Sequence, residues 1–577
     1  MTISKEFKND IKEFSVVMSM SIGLLVFSLV FVFYIVRNYV NVNSILGGNF
    51  GTKQIYIFLP KDNLDMVKKL NLTQNYERNL KYITSIKDYK FIKIDNLKNI
   101  DTKIPLLLID NFVLTDDEKY QLKKYISNGG SIIFNFNVDR KFQKEITGLN
   151  FEGYITRDKD HTFYLVQKLL SPISIPQAKR LDIVLYDKIP IFSGKSPFLE
   201  WSNWAMNDGI YAQKLLDNGA VWGGKYKKGN WIYFSFPLYS FSSVKSQIPE
   251  YKALFKSMLD FSYNRYKVVK YPYLDSSKVI FISEDTEFRF ENLQSFTQTI
   301  QNLEVNATAF CVGKLAERHP KIVKQAGEYI EIASHSYSHT DLLNASKNKL
   351  DIEIRLNKIL LNNLSHQNIV GFRPPREQTN KRLREVLKES GFRYVLEKNL
   401  GQLRVKYDDN LMIIPRLGTD DYAYLIQLDW DKNKIIDRIL FEMKFITDLN
   451  AIYTLSTHTH LFSYKSNIKI LQQVIKEFKK TDIPILSGKT IMTKINTTKN
   501  IKLKTSKTDV NILVNVKNEN PFEVKNFTFR IYHKIEKVSS DFVNVQTKIV
   551  KQTDEYTDIK IIKLNKFADI NLFLKIK

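Results

Sequence analysis

The pattern of hydrophobic and polar positions changes at four places along this chain of 577 residues. An apolar run with its flanks comes first, and a polar stretch follows it. In the next two parts, short apolar strands alternate with helices. In the last part, apolar and polar residues alternate with a period of two. We therefore predict a multidomain α/β protein, whose parts are 1–37, 38–53, 54–265, 272–495 and 496–577.

The first part is a predicted cytoplasmic tail and transmembrane anchor, and 38–53 is a predicted linker. Residues from Phe14 to Val36 are apolar and uncharged, and about 20 such residues span a bilayer core as a helix. A signal peptide is the competing interpretation, but its apolar region is usually shorter and ends at a small-residue cleavage site. Lysines precede the run, and only Arg37 closely follows it. Because positive charge favours the cytoplasmic side, we expect a single-pass protein of the bacterial inner (cytoplasmic) membrane, with its N-terminus in the cytoplasm and its bulk periplasmic or extracellular.

The part that follows the linker has short apolar runs separated by helical patterns. Strands are predicted over 54–60, 105–110 and 131–136, and a helix capped by Thr115 is predicted to end at Ser127. Gln54 to about Tyr263 should thus fold as an α/β domain with a mostly parallel sheet, because strands that alternate with helices pair in parallel.

The last part, 496–577, has the alternation of a half-buried sheet. Ile512, Val514 and Val516 occupy every second position, and the same spacing recurs at Phe527 and Phe529. Period-two alternation in short runs is typical of antiparallel strands. We predict a small C-terminal β-sandwich.

Composition adds two exclusions. The formal net charge is +25, but the lysines are dispersed and no basic block is interleaved with aromatic residues, so we predict no nucleic-acid partner. The single cysteine, Cys311, excludes an intramolecular disulfide and a cysteine-rich metal site.

Candidate chemistry lies in 272–495. His335 and His339 are four residues apart, a spacing that lets two imidazoles bind one metal ion. Metal-assisted hydrolysis also needs a base, an orienting cation and a second proton carrier. Side chains of these kinds stand before and after the histidine pair: Glu284, Asp285, Arg373 and His458.

Three stretches of this part carry a family resemblance. The sequences ATAFCVGKLAERHPKIVKQAGEYIEIASHSYSHTDL, GFRPPREQTN and LREVLKESGFRYVLEK resemble, in order, the polysaccharide deacetylase (NodB-homology) domain of carbohydrate esterase family four. The resemblance implies a distorted (β/α) barrel that removes N-acetyl or O-acetyl groups from sugars.

The resemblance also implies the roles of the central side chains. Asp285, His335 and His339 would bind a divalent metal, expected to be Zn²⁺, because a catalytic zinc has three protein ligands and one open position. Glu284 stands at the position of the catalytic base, and Arg373 would hold it ionised and oriented. The family motif TFDDG reads ISEDT here, so the base is one methylene longer than usual, and a displacement of about 1 Å can cost about a hundredfold in rate.

Further roles follow from the flanking motifs. Glu287 is a second acidic candidate for the site. The alternative, given equal weight, is that it is an ordinary surface carboxylate. Pro375 and Arg376 stand where the family binds substrate and oxyanion, and the Arg376 backbone N–H can serve whatever its side chain. His458 matches the general acid that protonates the departing amine. His460 is its competitor, because residues two apart on a strand face the same side.

The motif that should orient His458 is less specific. Trp430 lies at a plausible distance before it, but the stretch around Asp420 and Asp421 looks more like a loop of the site. A carboxylate there could orient the imidazole, and a plain polar turn is the alternative.

Two stretches of the N-terminal α/β part carry a second, looser resemblance. The sequences LLLIDNFVLTDDEKYQLKKYISNGGSIIFNF and KKGNWIYFSFPL resemble the class I glutamine-amidotransferase-like fold. That family's nucleophile is a cysteine, and residues 54–265 contain none. The resemblance therefore implies a non-catalytic domain that binds or docks.

Together these observations predict a membrane-anchored, metal-dependent deacetylase that hydrolyses N-acetyl groups of an extracellular or periplasmic polysaccharide. The expected partners are the acetylated polysaccharide, the inner membrane and proteins of polysaccharide synthesis or export. The alternatives are a peptidoglycan deacetylase and a catalytically weakened glycan-binding scaffold of a polysaccharide export system.

Overall fold

The computed structural model describes a chain whose contacts divide it into two units. The larger unit comprises Ile55–Ile86 and Phe91–Lys577, and the smaller comprises Met1–Gln54 with Lys87–Lys90. The sites discussed below all lie in the larger unit. The described residues are 53–108, 110, 113–156, 164–176, 181–182, 188–202, 218–237, 245–263, 267–398, 402–507, 511–542 and 544–577.

No helix within these ranges is long and apolar enough to cross a membrane. The predicted anchor over 1–37 lies outside the described residues. The predicted linker over 38–53 does too, except for Lys53, which begins the first strand.

The N-terminal α/β domain is built on a mixed sheet in the order β2-β1-β3-β4-β11-β10-β9-β6-β7, with β5 and β8 paired separately. Its strands are β1 (Lys53–Phe58), β2 (Tyr89–Ile94), β3 (Leu106–Leu108), β4 (Ser131–Asn135), β5 (Asn150–Thr156), β6 (Tyr164–Gln167), β7 (Leu181–Asp182), β8 (Lys188–Ser193), β9 (Leu199–Ser202), β10 (Asn218–Tyr226) and β11 (Gly229–Phe234). Its α-helices are Lys61–Lys69, Thr73–Thr84, Asp116–Ser127, Arg140–Thr147 and Ile248–Tyr263.

The parallel core of this sheet follows from its sequence. Strands β1, β3, β4 and β11 pair in parallel, and β3 and β4 are buried at every position, as strands covered on both faces should be. The helix Asp116–Ser127 begins at Thr115, whose side chain accepts from the Glu118 backbone while the Glu118 carboxylate accepts from the Thr115 backbone. This capping box confirms the predicted start of the helix. Beyond β11 the strands run antiparallel, which the sequence pattern did not indicate.

The central part curls into a half-barrel. After β12 (Val268–Lys270), its strands are β13 (Val279–Thr286), β14 (Thr308–Cys311), β15 (Glu331–Ser334), β16 (Gly371–Phe372), β17 (Tyr394–Lys398), β18 (Lys406–Asp408), β19 (Leu411–Arg416), β20 (Ile452–His458) and β21 (Ile485–Leu486). They lie in the order β18-β19-β17-β16-β15-β14-β13-β20, with β21 beside β13. The α-helices of this part are Leu293–Asn302, Gly313–Ala316, Pro320–Tyr329, Lys347–Leu350, Asn357–Ser365, Lys381–Glu389, Lys432–Asp448, Ile468–Lys479 and Gly488–Lys499. Two short π-helical stretches are Asp351–Leu356 and Ala423–Gln427.

Parallel pairing in this half-barrel brings the chemical motifs to one edge. Strand β13 pairs in parallel with β14 on one side and with β20 on the other. All eight residues of β13 are buried, because helices cover one face and the barrel interior covers the other. The carboxyl ends of parallel strands meet at the same edge, where open α/β sheets and barrels carry their sites.

The C-terminal part is a sandwich of two antiparallel sheets, in the orders β12-β24-β27-β26 and β22-β23-β28-β25. Its strands are β22 (Ile501–Lys507), β23 (Asn511–Asn518), β24 (Val524–Ile531), β25 (Ile535–Ser540), β26 (Thr547–Gln552), β27 (Thr557–Leu564) and β28 (Asp569–Ile576). The predicted alternation is confirmed, since Ile512, Val514 and Val516 all face its buried core.

One predicted boundary does not follow the elements of the structure. The boundary at 495/496 falls inside the helix Gly488–Lys499. Strand β12, which precedes the half-barrel in the chain, pairs with β24 of the sandwich. The chain therefore leaves and re-enters the sandwich around the half-barrel, an arrangement of long-range pairing that short-range periodicity does not reveal.

A buried ion pair joins two neighbouring strands of the sandwich, and Tyr271, directly after β12, binds the same carboxylate. Arg530 binds Asp558 through two nitrogen atoms at 2.8 and 2.9 Å, and the Tyr271 hydroxyl donates to the same carboxylate at 2.8 Å. We expect Asp558→Ala to destabilise the sandwich by about 3–5 kcal/mol, because it leaves a largely buried guanidinium without its partner.

Native-state hydrogen exchange of Val524–Ile531 and Thr557–Leu564 measures this loss. The matched control is Asp554→Ala, because Asp554 is 91% exposed in its ion pair with Lys534 and its removal should leave protection unchanged. Equal protection in the two variants would contradict the prediction.

Candidate active site

Strand β13 places its acidic residues on opposite faces. Successive side chains of a strand point to opposite sides, so Ser283 and Asp285 share one face and Glu284 lies on the other. The Nη1 atom of Arg373 lies 3.0 Å from Asp285 Oδ2. The same atom donates to Ser283 Oγ at 3.5 Å.

Glu284 is fully buried away from this arginine. Its Oε2 accepts a hydrogen bond from Thr457, which lies directly beside it on the neighbouring strand β20. Burial raises the pKa of Glu284 to about 8, even though hydrogen bonds from Ser463 and Thr457 oppose the rise. The predicted contact of Arg373 with Glu284 is therefore wrong. Side chains alternate along the strand, so Glu284 points away from Arg373 and Asp285 points toward it.

A chain of alternating charges continues from Asp285. Arg373 also binds the Glu377 carboxylate, and Arg416 binds Glu377 from the other side at 2.5 Å. Burial would raise the pKa of Glu377, but Arg416 and Arg373 outweigh it and lower that pKa to about 2. The guanidinium beside Asp285 is thus itself fixed by a carboxylate that stays ionised.

His335 and His339 face Glu287, which follows the end of β13. The Glu287 Oε1 atom lies 3.3 Å from His335 Nε2 and 3.0 Å from His339 Nε2. Burial alone would raise the pKa of Glu287, but the hydrogen bonds from the two imidazoles hold it well below its usual range.

These three side chains form one of two groups, among the described residues, in which three possible metal-ligand atoms lie within 4.8 Å of one another. The other consists of Asp285, Glu287 and His458. The predicted set of Asp285 with both histidines is not among them. Asp285 Oδ2 lies 3.9 Å from His335 Nε2, and Arg373 binds the same carboxylate at 3.0 Å.

The donor set suits a divalent transition metal. The Nδ1 atom of His335 lies 2.8 Å from the Arg373 carbonyl oxygen, which can only accept, so Nδ1 carries a proton. In the neutral ring, Nε2 then has the lone pair that a metal ion would take. One carboxylate oxygen and two imidazole nitrogens are ligands that zinc commonly takes. His335 is 2% exposed and His339 33% exposed in their side chains, so the group opens to solvent on the His339 side.

His458 ends strand β20 and is held by Asp421. The Asp421 carboxylate accepts from the His458 backbone at 2.8 Å and lies 2.5 Å from its Nδ1 atom. Burial would lower the pKa of His458, but the charge and hydrogen bond of Asp421 outweigh it and raise that pKa to about 10. The Nε2 atom faces Asp285 and Glu287 at 3.9 and 4.0 Å.

The remaining candidates of this region lie beside the site. Asp420 accepts from the Ala423 backbone at 2.9 Å and so starts the next turn. Trp430 stacks on Tyr424 with ring centroids 5.9 Å apart, at the edge of the hydrophobic core. The structure thus brings Asp421 to His458 and leaves these two candidates in local structural contacts.

His460 and Phe288 form part of the rim. The strand ends at His458, and the His460 ring lies 5.5 Å from the His458 ring and 5.2 Å edge-on from the ring of Phe288. Burial and the positive charge of His458 lower the pKa of His460. Phe288, directly after Glu287, is 62% exposed.

Pro375 and Arg376 lie on the opposite part of the rim. Pro375 is buried, while the Arg376 side chain is 77% exposed and pairs with Asp341 at 3.1 Å. Arg376 and Glu377 have φ values of 61° and 57°, a left-handed conformation that non-glycine residues rarely adopt. This turn lets Glu377 fold back onto Arg373 while Arg376 points outward.

The residue that sequence reasoning undervalued most is Glu287. A usable signal was present, because Asp285 and Glu287 are two positions apart, the same spacing that pairs His458 with His460. Glu377 carried no signal of its own, since its contact with Arg373 depends on the left-handed turn between them.

Comparison with known proteins agrees with this placement. Residues 274–395 match the family model of polysaccharide deacetylase. A polysaccharide deacetylase domain is therefore supported over this range, which holds Asp285, Glu287, His335, His339 and Arg373. No curated protein matches the chain.

Several solved structures are similar to the deacetylase domain. A candidate polysaccharide deacetylase from Mycobacterium smegmatis is 18% identical, with 41% of this chain and 96% of that chain covered and a TM-score of 0.36. A family 4 carbohydrate esterase from Bacillus anthracis is 18% identical, with 38% and 86% covered and a TM-score of 0.28. A family 4 pseudoenzyme from the same organism is 12% identical, with 38% and 66% covered and a TM-score of 0.29.

Proposed function

We propose that this protein is a metal-dependent deacetylase that hydrolyses N-acetyl groups of an extracellular or periplasmic polysaccharide. One observation carries the proposal. Glu287, His335 and His339 converge beside a carboxylate, Asp285, and an imidazole, His458, each of which has its own buried partner. Hydrolysis of an amide needs this combination of groups at one place.

Glu287, His335 and His339 would hold the metal, which we expect to be Zn²⁺. A divalent metal bound there would supply a water of lowered pKa and polarise the acetyl carbonyl. The structure supports this ligand set through the tautomer of His335, which is fixed by the Arg373 carbonyl.

Asp285 would act as the base. It would take a proton from the attacking water, with Arg373 fixing the direction of its carboxylate. Of the nearby carboxylates, it faces both His335 and His458 at 3.9 Å, whereas Glu284 is sealed on the other face of β13.

His458 would act as the acid. Its pKa near 10 keeps it protonated, so it can give a proton to the sugar nitrogen as the amine departs. Asp421 orients the ring through Nδ1 and leaves Nε2 facing the site. The backbone N–H of Arg376 would help to bind the oxyanion, as the sequence comparison implies.

The cellular setting remains part of the proposal. The apolar run over 14–36 supports an inner-membrane anchor with the bulk outside the cytoplasm. The domain over 54–265, with its parallel core strands and no cysteine, would be a non-catalytic docking domain for proteins of polysaccharide synthesis or export.

The direct test is acetate release from N-acetylglucosamine oligomers by the purified full chain. We expect release that stops with a chelator and returns when Zn²⁺ is added back. Peptidoglycan fragments tested in parallel distinguish the two substrate classes, and we expect faster release from the soluble oligomers.

A glycan-binding scaffold would give a different result. It would bind the oligomers without releasing acetate at any metal concentration, and this outcome would overturn the proposed function. Release that is insensitive to the chelator would instead overturn its metal dependence.

A further inference from the structure

A cavity lies at the end of the half-barrel opposite the candidate active site. Ile452, the first residue of β20, lines it, whereas His458, the last residue of that strand, belongs to the site. The six residue steps between them span about 20 Å. The cavity is therefore separate from the chemistry described above.

Three parts of the chain meet at this cavity, which has a volume of about 860 Å³. Leu169 comes from the N-terminal domain, Val405 and Ile495 from the half-barrel, and Leu503 from the sandwich. Cavities at the junction of domains are frequent ligand sites, and this volume is within the usual 300–1,000 Å³.

The wall of the cavity carries one sign of charge. Among the described residues, six cationic side chains line it and no acidic side chain does. The cations are Lys267, Lys270, Arg404, Lys499, Lys502 and Lys504. Low-dielectric walls lined by one sign of charge concentrate ions of the opposite sign.

Most of these charges have no acidic partner among the residues that the structure describes. Lys267 donates to the Pro172 carbonyl at 2.6 Å, and Lys270 to the Thr498 and Ile501 carbonyls at 2.7 Å. Carbonyl oxygens satisfy the N–H groups but do not neutralise the charge. Burial lowers the pKa of Lys267 and lowers that of Lys270 to about 8. Desolvation therefore disfavours the charged form of both ammonium groups.

Among the described residues, one of the six forms an ion pair, Lys502 with Glu519 at 3.7 Å. Arg404 forms none with any described acidic residue, and Lys504 forms none either. A guanidinium with free donors at the mouth of a cavity is well suited to bind a carboxylate or a phosphate.

Most of the remaining lining is apolar and aromatic, and Ser171, Ser174 and Thr498 are its polar members. Leucine, valine and isoleucine side chains lie between the cations, together with Tyr271, Tyr273 and Tyr407. The Lys499 ammonium lies 3.8 Å from the ring centre of Tyr407, and both side chains line the cavity. A small inorganic anion would leave this apolar surface uncovered.

We propose that the cavity binds an anionic amphiphile, a phosphate or carboxylate group carried on an apolar chain. The acidic group would lie against Arg404 and its neighbouring lysines, and the chain would cover the aliphatic and tyrosine walls. Such a ligand could be a membrane lipid or a soluble molecule, and both share this chemistry.

The test uses the full chain in nanodiscs of neutral phosphatidylcholine, titrated with octyl phosphate by calorimetry. We expect octyl phosphate to bind at least about tenfold more tightly than inorganic phosphate or octyl glucoside, because each lacks one half of the recognised chemistry. The double variant Arg404→Glu/Lys504→Glu should weaken the binding of octyl phosphate at least about tenfold. The affinity of Arg404→Gln/Lys504→Gln should lie between that of this variant and that of the native protein.

The matched control is Lys525→Glu/Lys566→Glu, which makes the same charge change at two exposed sandwich lysines outside the cavity. It should bind octyl phosphate within about twofold of the native protein. Equal weakening by the control, or native binding by both cavity variants, would overturn the proposal.

A further arm identifies the source of the ligand. Nanodiscs that contain phosphatidylglycerol should compete with octyl phosphate if a lipid is the natural ligand, and should leave its binding unchanged if the ligand is soluble. Acetate release by the cavity variants should equal that of the native protein, so failure of this proposal and failure of the proposed function remain distinguishable.

Discussion

Glu287→Gln is expected to remove metal binding from the deacetylase domain. The Glu287 carboxylate is the group that both His335 and His339 face, at 3.3 and 3.0 Å. A neutral amide in its place loses the charge that balances a divalent cation and one oxygen ligand. Changes around metal ligands alone cost about 10–100-fold in affinity, so we expect a loss above about 100-fold, measured by competition with a chromophoric chelator.

Asp285→Asn is the matched control for metal binding by Glu287→Gln. Asp285 lies two positions earlier on the same face, but Arg373 already engages it, so its amide variant should keep metal close to native affinity. If Asp285→Asn lost the metal and Glu287→Gln kept it, the set of Asp285 with the two histidines would be restored and the set with Glu287 abandoned.

Asp285→Asn should nevertheless abolish most turnover. The amide cannot accept the proton of the attacking water, and general-base catalysis contributes about 10²–10⁴-fold in rate. We expect kcat for acetate release to fall by that factor while metal content stays native. Initial rates on N-acetylglucosamine oligomers, measured beside metal content, separate the two effects.

The matched control is Glu284→Gln, the adjacent carboxylate changed in the same way. Glu284 is fully buried beside Thr457 on the opposite face of β13, so kcat per folded molecule should stay within a few-fold of native. A large loss of kcat in Glu284→Gln with native activity in Asp285→Asn would return the role of base to Glu284.

The difference between these two residues shows that locating a site in the sequence does not by itself decide which residue takes which role. The motif ISEDT placed two adjacent carboxylates at the end of an apolar strand, and a family pattern gave each a role. Adjacent residues of a strand cannot both face one site, because their side chains alternate. We therefore propose the alternating pair Asp285 and Glu287 for these roles, in which case the longer side chain at 284 does not face the reacting groups.

The carboxylate near His458 illustrates the opposite case. Sequence reasoning named the stretch around Asp421 as a site loop, and the structure brings that carboxylate to within 2.5 Å of the imidazole. Asp420 and Asp421 could not be separated beforehand. Which of two adjacent residues in a loop reaches an imidazole 37 positions away depends on the course of the loop.

Local patterns determined much about this protein. The sequence alone predicted the helix that begins at Thr115, the alternation of the sandwich strands, and the histidine pair with its arginine, because each depends on residues a few positions apart or on motifs of fixed order. It also predicted a deacetylase domain over the range that the family model supports.

Only the tertiary structure decided which groups meet. The return of β12 to the sandwich and the convergence of six cations on one cavity join segments far apart in the chain. The contact of Glu377 with Arg373, four residues before it, depends on the left-handed turn between them. Such contacts arise from the packing of whole elements, and periodicity within a short window carries no information about them. For the same reason, our proposal of Asp285 rather than Glu284 as the base rests on which face of β13 the half-barrel encloses.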